Sequence, residues 1–478
     1  MKRKTHGLYI DGEWVEAGEP TEIKSPYDQS LVGRHHRAGQ AEVERALAAA
    51  ERAFHAHRND PASRRVTVLA RMAEILERRR EEFAATICGE AGKPIGFARA
   101  EVDRALHTIR CSSEEAGRIG GEVLPLDSVP VGDDHVGITR RFPVGPVLAI
   151  TPFNFPLNLV CHKVGPAIAS GCSIVLRPAS QTPLTSLLLA EVAAEAELPA
   201  GLLNVVPSPV RLAEEMVTDP RIRLVTFTGS PLVGWPLKQK AAHRKVILEL
   251  GGNAGVIFDE GYDPVPVIPK IAKSVYGYAG QSCISVQRIY APKREEDRFV
   301  EAFVAHVREN VAHGDPKDEA TVSGPLISSE ETDRVMAWIA EARERGAELL
   351  CGGSRHHNVI EPTLLRNVDP TLKISCQEVF GPVGVFDTFN SFEEALAKVN
   401  DSEFGLQAGL FTHDLDHAFQ AFRDLEVGGV TINETPTYRV DHMPYGGVKQ
   451  SGFGREGIRY TIEEMTELRL MLLRHDFS

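Results

Sequence analysis

Cysteine is scarce in this chain: seven in 478 residues, at positions 88, 111, 161, 172, 283, 351 and 376, an odd number with no Cys-x-x-Cys pair. That excludes a disulfide-stapled scaffold and predicts free thiols in a reducing, cytoplasmic setting. Metal-binding patterns are missing as well. The seventeen histidines form no His-Glu-x-x-His helix pattern and no Cys/His cluster along the chain, so no metal site is expected. No apolar run reaches the roughly 18 residues of a membrane span. The basic start at 1–4 is followed by His6, Asp11 and Glu13 rather than by an uninterrupted apolar segment, so no export signal is read. Charge of one sign is never concentrated; the net −13 comes from interspersed residues, and nucleic acid is not an expected partner. Internal repeats and low-complexity stretches are absent too.

What remains is an ordinary globular composition, 42% hydrophobic and 25% charged, in a chain long enough for two or three domains. Apolar residues recur at helical spacing over 41–57, 63–91 and 95–118, and Gly92 followed by Pro94 closes the second of these. From 146 the rhythm changes to short β-branched runs at 147–150, 173–176, 203–206, 224–227 and 246–250, separated by amphipathic stretches. Such spacing is that of βαβ units and predicts a doubly wound parallel sheet. A second alternation, with strands at 287–291, 383–386 and 430–432 and helices at 328–345 and 414–425, predicts a second α/β domain. Residues 122–143 break the rhythm, and 468–473 return to strand formers; edge pieces of this kind often pair between subunits.

Four short motifs carry chemistry. Gly280-Gln281-Ser282-Cys283 places a thiol on a connection between a helix-like stretch and a strand, where a cysteine can react as its thiolate. Leu248-Glu249-Leu250-Gly251-Gly252 puts a carboxylate at the C-terminal end of a strand, where parallel sheets hold ligands and burial raises a base's pKa. Phe153-Asn154-Phe155-Pro156 follows a strand and offers an amide N–H of the oxyanion-hole kind. Phe227-Thr228-Gly229-Ser230 opens a helix-like stretch at 231–242, leaving backbone N–H groups for a pyrophosphate. Taken singly, each has an ordinary structural use: a buried thiol, a solvent-facing glutamate, a turn asparagine, a helix cap. Gly452-Phe453-Gly454-Arg455-Glu456-Gly457 satisfies the dinucleotide fingerprint G-x-G-x-x-G, but no strand and βαβ unit surround it, so it reads as a shaped loop.

In order, FNFP at 153–156, FTGS at 227–230, LELGG at 248–252, GQSC at 280–283, EVFGP at 378–382 and PYGGVKQSGFGREG at 444–457 resemble the aldehyde dehydrogenase superfamily across essentially the whole chain. The resemblance implies oxidation of an aldehyde to a carboxylic acid with NAD or NADP as hydride acceptor. Its fold would comprise a Rossmann-like cofactor domain (1–121 and 144–250), a catalytic domain (251–457) and a small β element (122–143 and 458–478) that builds a homodimer or homotetramer. Cys283 would be the nucleophile, Glu249 the base that activates water, and Asn154 with the Cys283 N–H the oxyanion hole. Lys163 and Glu456 would form the proton-relay pair. The cofactor would lie against Ile150, Thr151, Pro152, Phe153, Asn154, Arg177, Ser180, Gly229, Ser230, Val233, Glu249, Leu250, Gly251, Glu378 and Phe380. Thiolate attack, a thioester and its hydrolysis need no metal, and Glu249 favours water over coenzyme A as the acyl acceptor.

Three departures bear on specificity. Family members commonly carry Lys-Pro-x-Glu after the second strand; here Arg177-Pro178-Ala179-Ser180 removes the carboxylate that repels a 2′-phosphate, which admits NADP while NAD stays slightly ahead. Val206-Pro207-Ser208-Pro209 replaces a glycine-rich turn. Ser282 stands where members acting on phosphorylated aldehydes can have arginine, and Arg110 on the 95–118 helix is the candidate to supply positive charge to the substrate, against its more ordinary use on a solvated helix face. The expected substrate is a small, polar or anionic aldehyde. The competing class, a cysteine-dependent esterase or hydrolase without a redox role, would need a histidine beside the thiol, and only His162 lies near these motifs.

Overall fold

Short β-branched runs can satisfy their backbone groups and bury both faces only by pairing in parallel beneath crossover helices. In the computed structural model, which describes residues 5–474, five such strands form the centre of an eight-stranded sheet: β1 (Val147–Ile150), β2 (Ile174–Arg177), β3 (Leu203–Val205), β4 (Leu224–Thr228) and β5 (Lys245–Glu249). Their order is β5-β4-β1-β2-β3, all parallel. The chain winds outward from β1 through β2 and β3, then returns to β4 and β5 on the other side. The C-terminal ends of β1 and β4 therefore flank the crevice where such sheets bind ligands. Antiparallel edge strands complete the sheet, Leu8–Ile10 and Glu13–Val15 beyond β3 and Gly452–Phe453 beside β5.

A seven-stranded sheet holds β6 (Ala254–Phe258), β7 (Val286–Pro292), β8 (Glu348–Cys351), β9 (Thr363–Arg366), β10 (Val383–Phe389), β11 (Gln407–Phe411) and β12 (Gly429–Ile432), in the order β8-β9-β10-β7-β6-β11-β12. Only β8 runs antiparallel to its neighbour. Its core is aromatic: Phe299 stacks on Phe386 and on Phe303 with ring centroids 5.0 and 5.4 Å apart. The α/β class and both parallel sheets agree with the strand spacing. The stretch 63–91 differs. It is two helices, Ala62–Arg78 and Arg80–Ala91, broken at Arg79 without glycine or proline. Arg79 there pairs with Glu82 and, across to another helix, with Glu191, both at 2.7 Å.

The irregular pieces find one another. Val123–Leu124, His135–Pro143 and Thr466–Arg474 make a three-stranded antiparallel sheet, with nine residue pairs joining the last two. Residues 1–4, read as a basic start, and 475–478, the end of the expected bridging element, lie outside the described residues. No described helix is long and apolar enough to cross a membrane.

Two buried carboxylates lock helices to the first sheet. Glu101, on the helix Ile95–Ala116, accepts the Leu157 and Asn158 N–H groups at 2.9 and 3.1 Å, where the helix Asn158–Ser170 begins. Its other oxygen pairs with the buried Lys93. Glu90 likewise accepts the N–H groups of Leu184 and Thr185 at the start of the helix Pro183–Glu195. Carboxylates at helix N-termini meet unsatisfied donors and the positive end of the dipole together.

Candidate active site

The motifs converge between the C-terminal ends of the first sheet's strands and the N-terminal ends of the second's, since Gly252, Cys283 and Glu378 each precede a strand there. Cys283 leaves a turn, Gly277–Gly280, in which Tyr278 and Ala279 take left-handed φ values of 52° and 53°. At Gly280, φ is 68° and an added Cβ would lie 2.2 Å from the Gly381 carbonyl oxygen, so this bend requires glycine. A Cβ at Gly252 would lie 2.1 Å from the Cys283 carbonyl, which brings LELGG against GQSC. Asn154 is buried and donates from Nδ2 to the Gln281 carbonyl at 3.0 Å, joining FNFP to the same loop. The Gly229 N–H donates to the Glu249 carbonyl at 3.0 Å, joining FTGS to LELGG.

Donors and bases are free where the chemistry would need them. An amide nitrogen carries two N–H groups, so Asn154 has one left after Gln281. Among the described residues nothing accepts from the Cys283 N–H. Both Glu249 carboxylate oxygens are buried without a hydrogen-bond partner. Burial and then the nearby Glu456 charge push its pKa well above the ordinary carboxylate range, against Arg439, Lys163 and Arg455. Glu456 goes the other way: burial alone would raise it, but Lys163, His162 and Arg439 hold it low, with Lys163 Nζ 2.7 Å from its Oε1. Lys163 also donates to Thr226 at 3.0 Å. The half-buried Cys283 Sγ lies 3.0 Å from the Tyr445 hydroxyl, and burial pushes the thiol up to about 12, with that hydrogen bond acting against the rise. Ser282, beside it, is half-buried.

The residues of the cofactor set line the crevice of the first sheet. Ser230 caps the helix Pro231–Lys240 without a side-chain cap bond, which leaves its exposed hydroxyl and the helix N-terminus open. Val233 on the same helix is 42% exposed, high for an apolar side chain. Thr228 Oγ1 is a buried polar atom without a partner. These features fit a dinucleotide: an open helix N-terminus for pyrophosphate and an uncovered apolar wall. Ile150 and Thr151 are buried, and the Thr151 N–H donates to the Arg177 carbonyl at 3.2 Å, with Pro152 continuing the turn. Glu378 Oε1 accepts from the Gly252 N–H at 2.8 Å, and a Cβ on Gly251, next to Leu250, would crowd its other oxygen at 2.6 Å. Burial lifts Glu378 to about 7, against that N–H and Arg334. Phe380, with φ of 49°, meets Phe153 edge-on at 5.9 Å between ring centroids.

Arg177 donates through Nε and Nη2 to the Ser208 carbonyl at 3.2 and 3.0 Å, and through Nη2 to Ser180 Oγ at 3.0 Å. Two of the sequence departures are thus one structural unit. Arg110 is not part of the site: its guanidinium pairs at the surface with Glu77 at 2.8 Å and is half exposed. It sits on the outer face of its helix, one turn and a half beyond Arg104, which faces inward and binds Asp441 through two nitrogens at 3.2 and 2.7 Å. The charge near the thiol comes instead from Arg439, which the motifs did not single out. It stacks 3.7 Å above the Tyr445 ring, its Nη2 lies 3.4 Å from Glu456, and its buried Nε has no partner. The G-x-G-x-x-G segment, expected to be a loop, begins instead as an edge strand: Gly452 and Phe453 pair with Glu249 and Leu248, because the chain returns alongside β5 at the site.

The sequence matches the Aldehyde dehydrogenase family over residues 14–471. The chain belongs to the aldehyde dehydrogenase family. It is 44% identical over 471 residues, covering 98% of both chains, to the 3-sulfolactaldehyde dehydrogenase of Priestia megaterium. Its fold superposes with a TM-score of 0.96 on aldehyde dehydrogenase 21 from Physcomitrella patens in complex with the reaction product succinate, at 39% identity and 99% coverage of each chain. It also superposes with a TM-score of 0.95 on the NADP-dependent glyceraldehyde-3-phosphate dehydrogenase of Bacillus halodurans complexed with NADP, at 33% identity over 99% and 100% of the two chains. The protein is an NAD(P)-dependent aldehyde dehydrogenase. No histidine is within hydrogen-bond reach of Cys283 among the described residues, so the dyad of a cysteine hydrolase is missing.

A thiol with its pKa near 12 is almost wholly protonated at neutral pH, and its thiolate fraction rises tenfold per pH unit. Carbamidomethylation of Cys283 by iodoacetamide in the cofactor-free dehydrogenase, mapped by peptide mass spectrometry, should therefore accelerate about tenfold per unit between pH 7 and 10. Tyr445→Phe should slow it at every pH. A rate already level near pH 7 would show the thiol ionised at rest and refute this account.

Proposed function

We propose that this dehydrogenase oxidises a small aldehyde bearing an acidic group, with Cys283 as nucleophile and Glu249 as the base that hydrolyses the acyl-enzyme. The observation that carries the reading is the convergence on one point of a thiol, two unused N–H donors and a carboxylate with both oxygens free. The thiolate attacks the aldehyde carbon, and the oxyanion that forms is met by the spare Asn154 N–H and the Cys283 N–H. When bound, the nicotinamide accepts the electrons of the oxidation. Glu249 then takes a proton from water as the water oxygen attacks the thioester, releasing the carboxylic acid and the Cys283 thiolate. Lys163 and Glu456 carry that proton away from the buried base. The first sheet, with Ser230, Arg177, Ser180, Glu378 and Phe380 around its crevice, would hold the dinucleotide, and the second would carry Cys283. No carboxylate stands at Ser180 to repel a 2′-phosphate, which supports use of NADP beside NAD.

Arg439 supports the acidic substrate. A buried guanidinium with an unpartnered Nε, one aromatic ring away from the thiol, favours an anion in front of it. The relatives that act on sulfolactaldehyde or hold succinate are consistent with a sulfonate or carboxylate there. A soluble assembly of two or four chains is supported by the strand Thr466–Arg474, whose Leu468, Leu470 and Leu472 are 58, 58 and 56% exposed along an open edge. Seven free thiols suit a cytoplasmic setting.

Cys283→Ala should abolish reduction of either cofactor, and Glu249→Gln should retain the first turnover but accumulate an acyl-enzyme heavier by the acyl mass. Wild-type turnover by the first variant, or a second variant slow without an adduct, sinks the assignment. Arg439→Gln should raise KM for a carboxylate- or sulfonate-bearing aldehyde about tenfold or more, the worth of a charge-assisted hydrogen bond, while a neutral aldehyde of equal length is affected about twofold. Equal losses on both would mean that Arg439 only holds Tyr445 in place. Light scattering on the wild-type chain should give two or four times 52.4 kDa, falling toward one chain in Leu470→Glu; a monomeric wild type refutes the assembly.

A further inference from the structure

Folding assembles a group of soft donors outside the catalytic centre. His107 and Cys111 stand four residues apart on one face of the helix Ile95–Ala116, and His442, 335 positions along the chain from His107, arrives beside them from the loop after Asp441. Their ligand atoms all lie within 4.8 Å of one another. Sequence spacing could not reveal this cluster, and its composition, two imidazoles and a thiol, is that of a borderline-soft cation site.

The distances leave the three donors close enough to share one ion. His107 Nε2 lies 3.4 Å from His442 Nδ1 and 3.3 Å from Cys111 Sγ. The Cys111–His107 contact is a thiol–imidazole hydrogen bond and the imidazole pair is a long one. Tetrahedral zinc, with bonds of about 2.0–2.1 Å to nitrogen and 2.3 Å to sulfur, sets neighbouring donors about 3.3–3.6 Å apart. The nitrogen pair falls inside that interval, and the nitrogen–sulfur pair needs to open by only about 0.2 Å to reach it. The charge around the group also suits a dication: the Glu114, Asp441 and Glu115 carboxylates stand within electrostatic reach of Cys111, offset by Arg118. The loop that brings His442 is held before any ion arrives, because Asp441 Oδ1 binds Arg104 at 2.7 Å, His162 at 2.8 Å and Asn158 at 3.0 Å.

We propose that His107, Cys111 and His442 form a surface zinc site, with water as the fourth ligand. Binding replaces the Cys111 thiol proton with the metal and releases that proton to solvent. The ion ties the helix Ile95–Ala116 to the loop 439–445, which carries Arg439 and Tyr445 to the Cys283 side, so it braces the substrate wall from outside.

The test uses the full-length, tag-free Cys283→Ser chain, so that metal cannot report on the nucleophile. Titration with Co2+ under reducing conditions should produce one equivalent of a thiolate-to-cobalt charge-transfer band, removed by Zn2+, and Zn2+ should raise Tm. His107→Ala and His442→Ala, both at exposed positions, should lose the Tm shift, and Cys111→Ser should lose the charge-transfer band while keeping its fold by circular dichroism. No thiolate band in the parent chain, or an undiminished band and Tm shift in the two histidine variants, overturns the proposal.

Discussion

One buried carboxylate, Glu101, organises the site from beneath. With one oxygen it accepts two N–H groups at the start of the helix Asn158–Ser170; with the other it holds Lys93, whose ammonium lies 3.7 Å over the Phe155 ring and 4.6 Å from that of Tyr278. Phe155 belongs to the loop that presents Asn154, Tyr278 to the turn that presents Cys283, and the helix carries His162 and Lys163. A charge with no water around it must keep its partners, since stripping one from a buried pair costs about 3–5 kcal/mol. Burial lowers Lys93 to about 8 against the pull of Glu101, which is the electrostatic sign of how dry the spot is. Asn154, the Cys283 loop and Lys163 are therefore positioned by the same desolvated pair.

Two further carboxylates show how position, not residue type, sets a role. Glu456 and Glu249 are both buried, and the Glu456 charge raises the cost of ionising Glu249. Lys163 touches Glu456 at 2.7 Å, so the negative charge settles there. Glu249, left with no hydrogen bond, has its pKa lifted well above the ordinary carboxylate range by burial and by the Glu456 charge. On the proposed reading, the pair divides the work: Glu456 stores the charge, and Glu249 keeps a basicity that an exposed strand-end glutamate would lack.

Much of this was legible in the chain. The parallel strands betrayed themselves through β-branched runs spaced by crossover helices, because periodicity records burial and burial decides pairing. The six motifs were legible through their order, and their members do meet in space. The break at Arg79 was not, since no proline or glycine marks it and Arg79 finds one of its partners, Glu191, on a distant helix. Arg439 was missed for a similar reason, and Tyr445 was named only within its motif: nothing in residues 439–445 announces that a guanidinium there will stack over a ring whose hydroxyl touches Cys283. Arg110 shows the converse error. Charge on a helix near the right motif is a weak sign when its direction is unknown, and an offset of six residues on one helix separates the inward Arg104 from the outward Arg110.

The altered cofactor turn shows why substitutions must be read together. With serine at 180 in place of a carboxylate, a buried arginine at 177 has no anion of its own, and burial bears on its guanidinium alongside the charge of Arg37. The turn 206–209 answers this: its Ser208 carbonyl takes two of the five N–H groups, and Ser180 takes another. Carbonyl and hydroxyl oxygens satisfy the donors without cancelling the charge. The Nη1 end has no partner among the described residues, so positive charge and open donors persist where β2 ends. A lysine and glutamate at this turn would make the ribose hydroxyls the favoured contact and penalise a phosphate. Arginine with serine removes the penalty and leaves the hydroxyl contacts possible, which on the proposed reading lets this turn accept either dinucleotide.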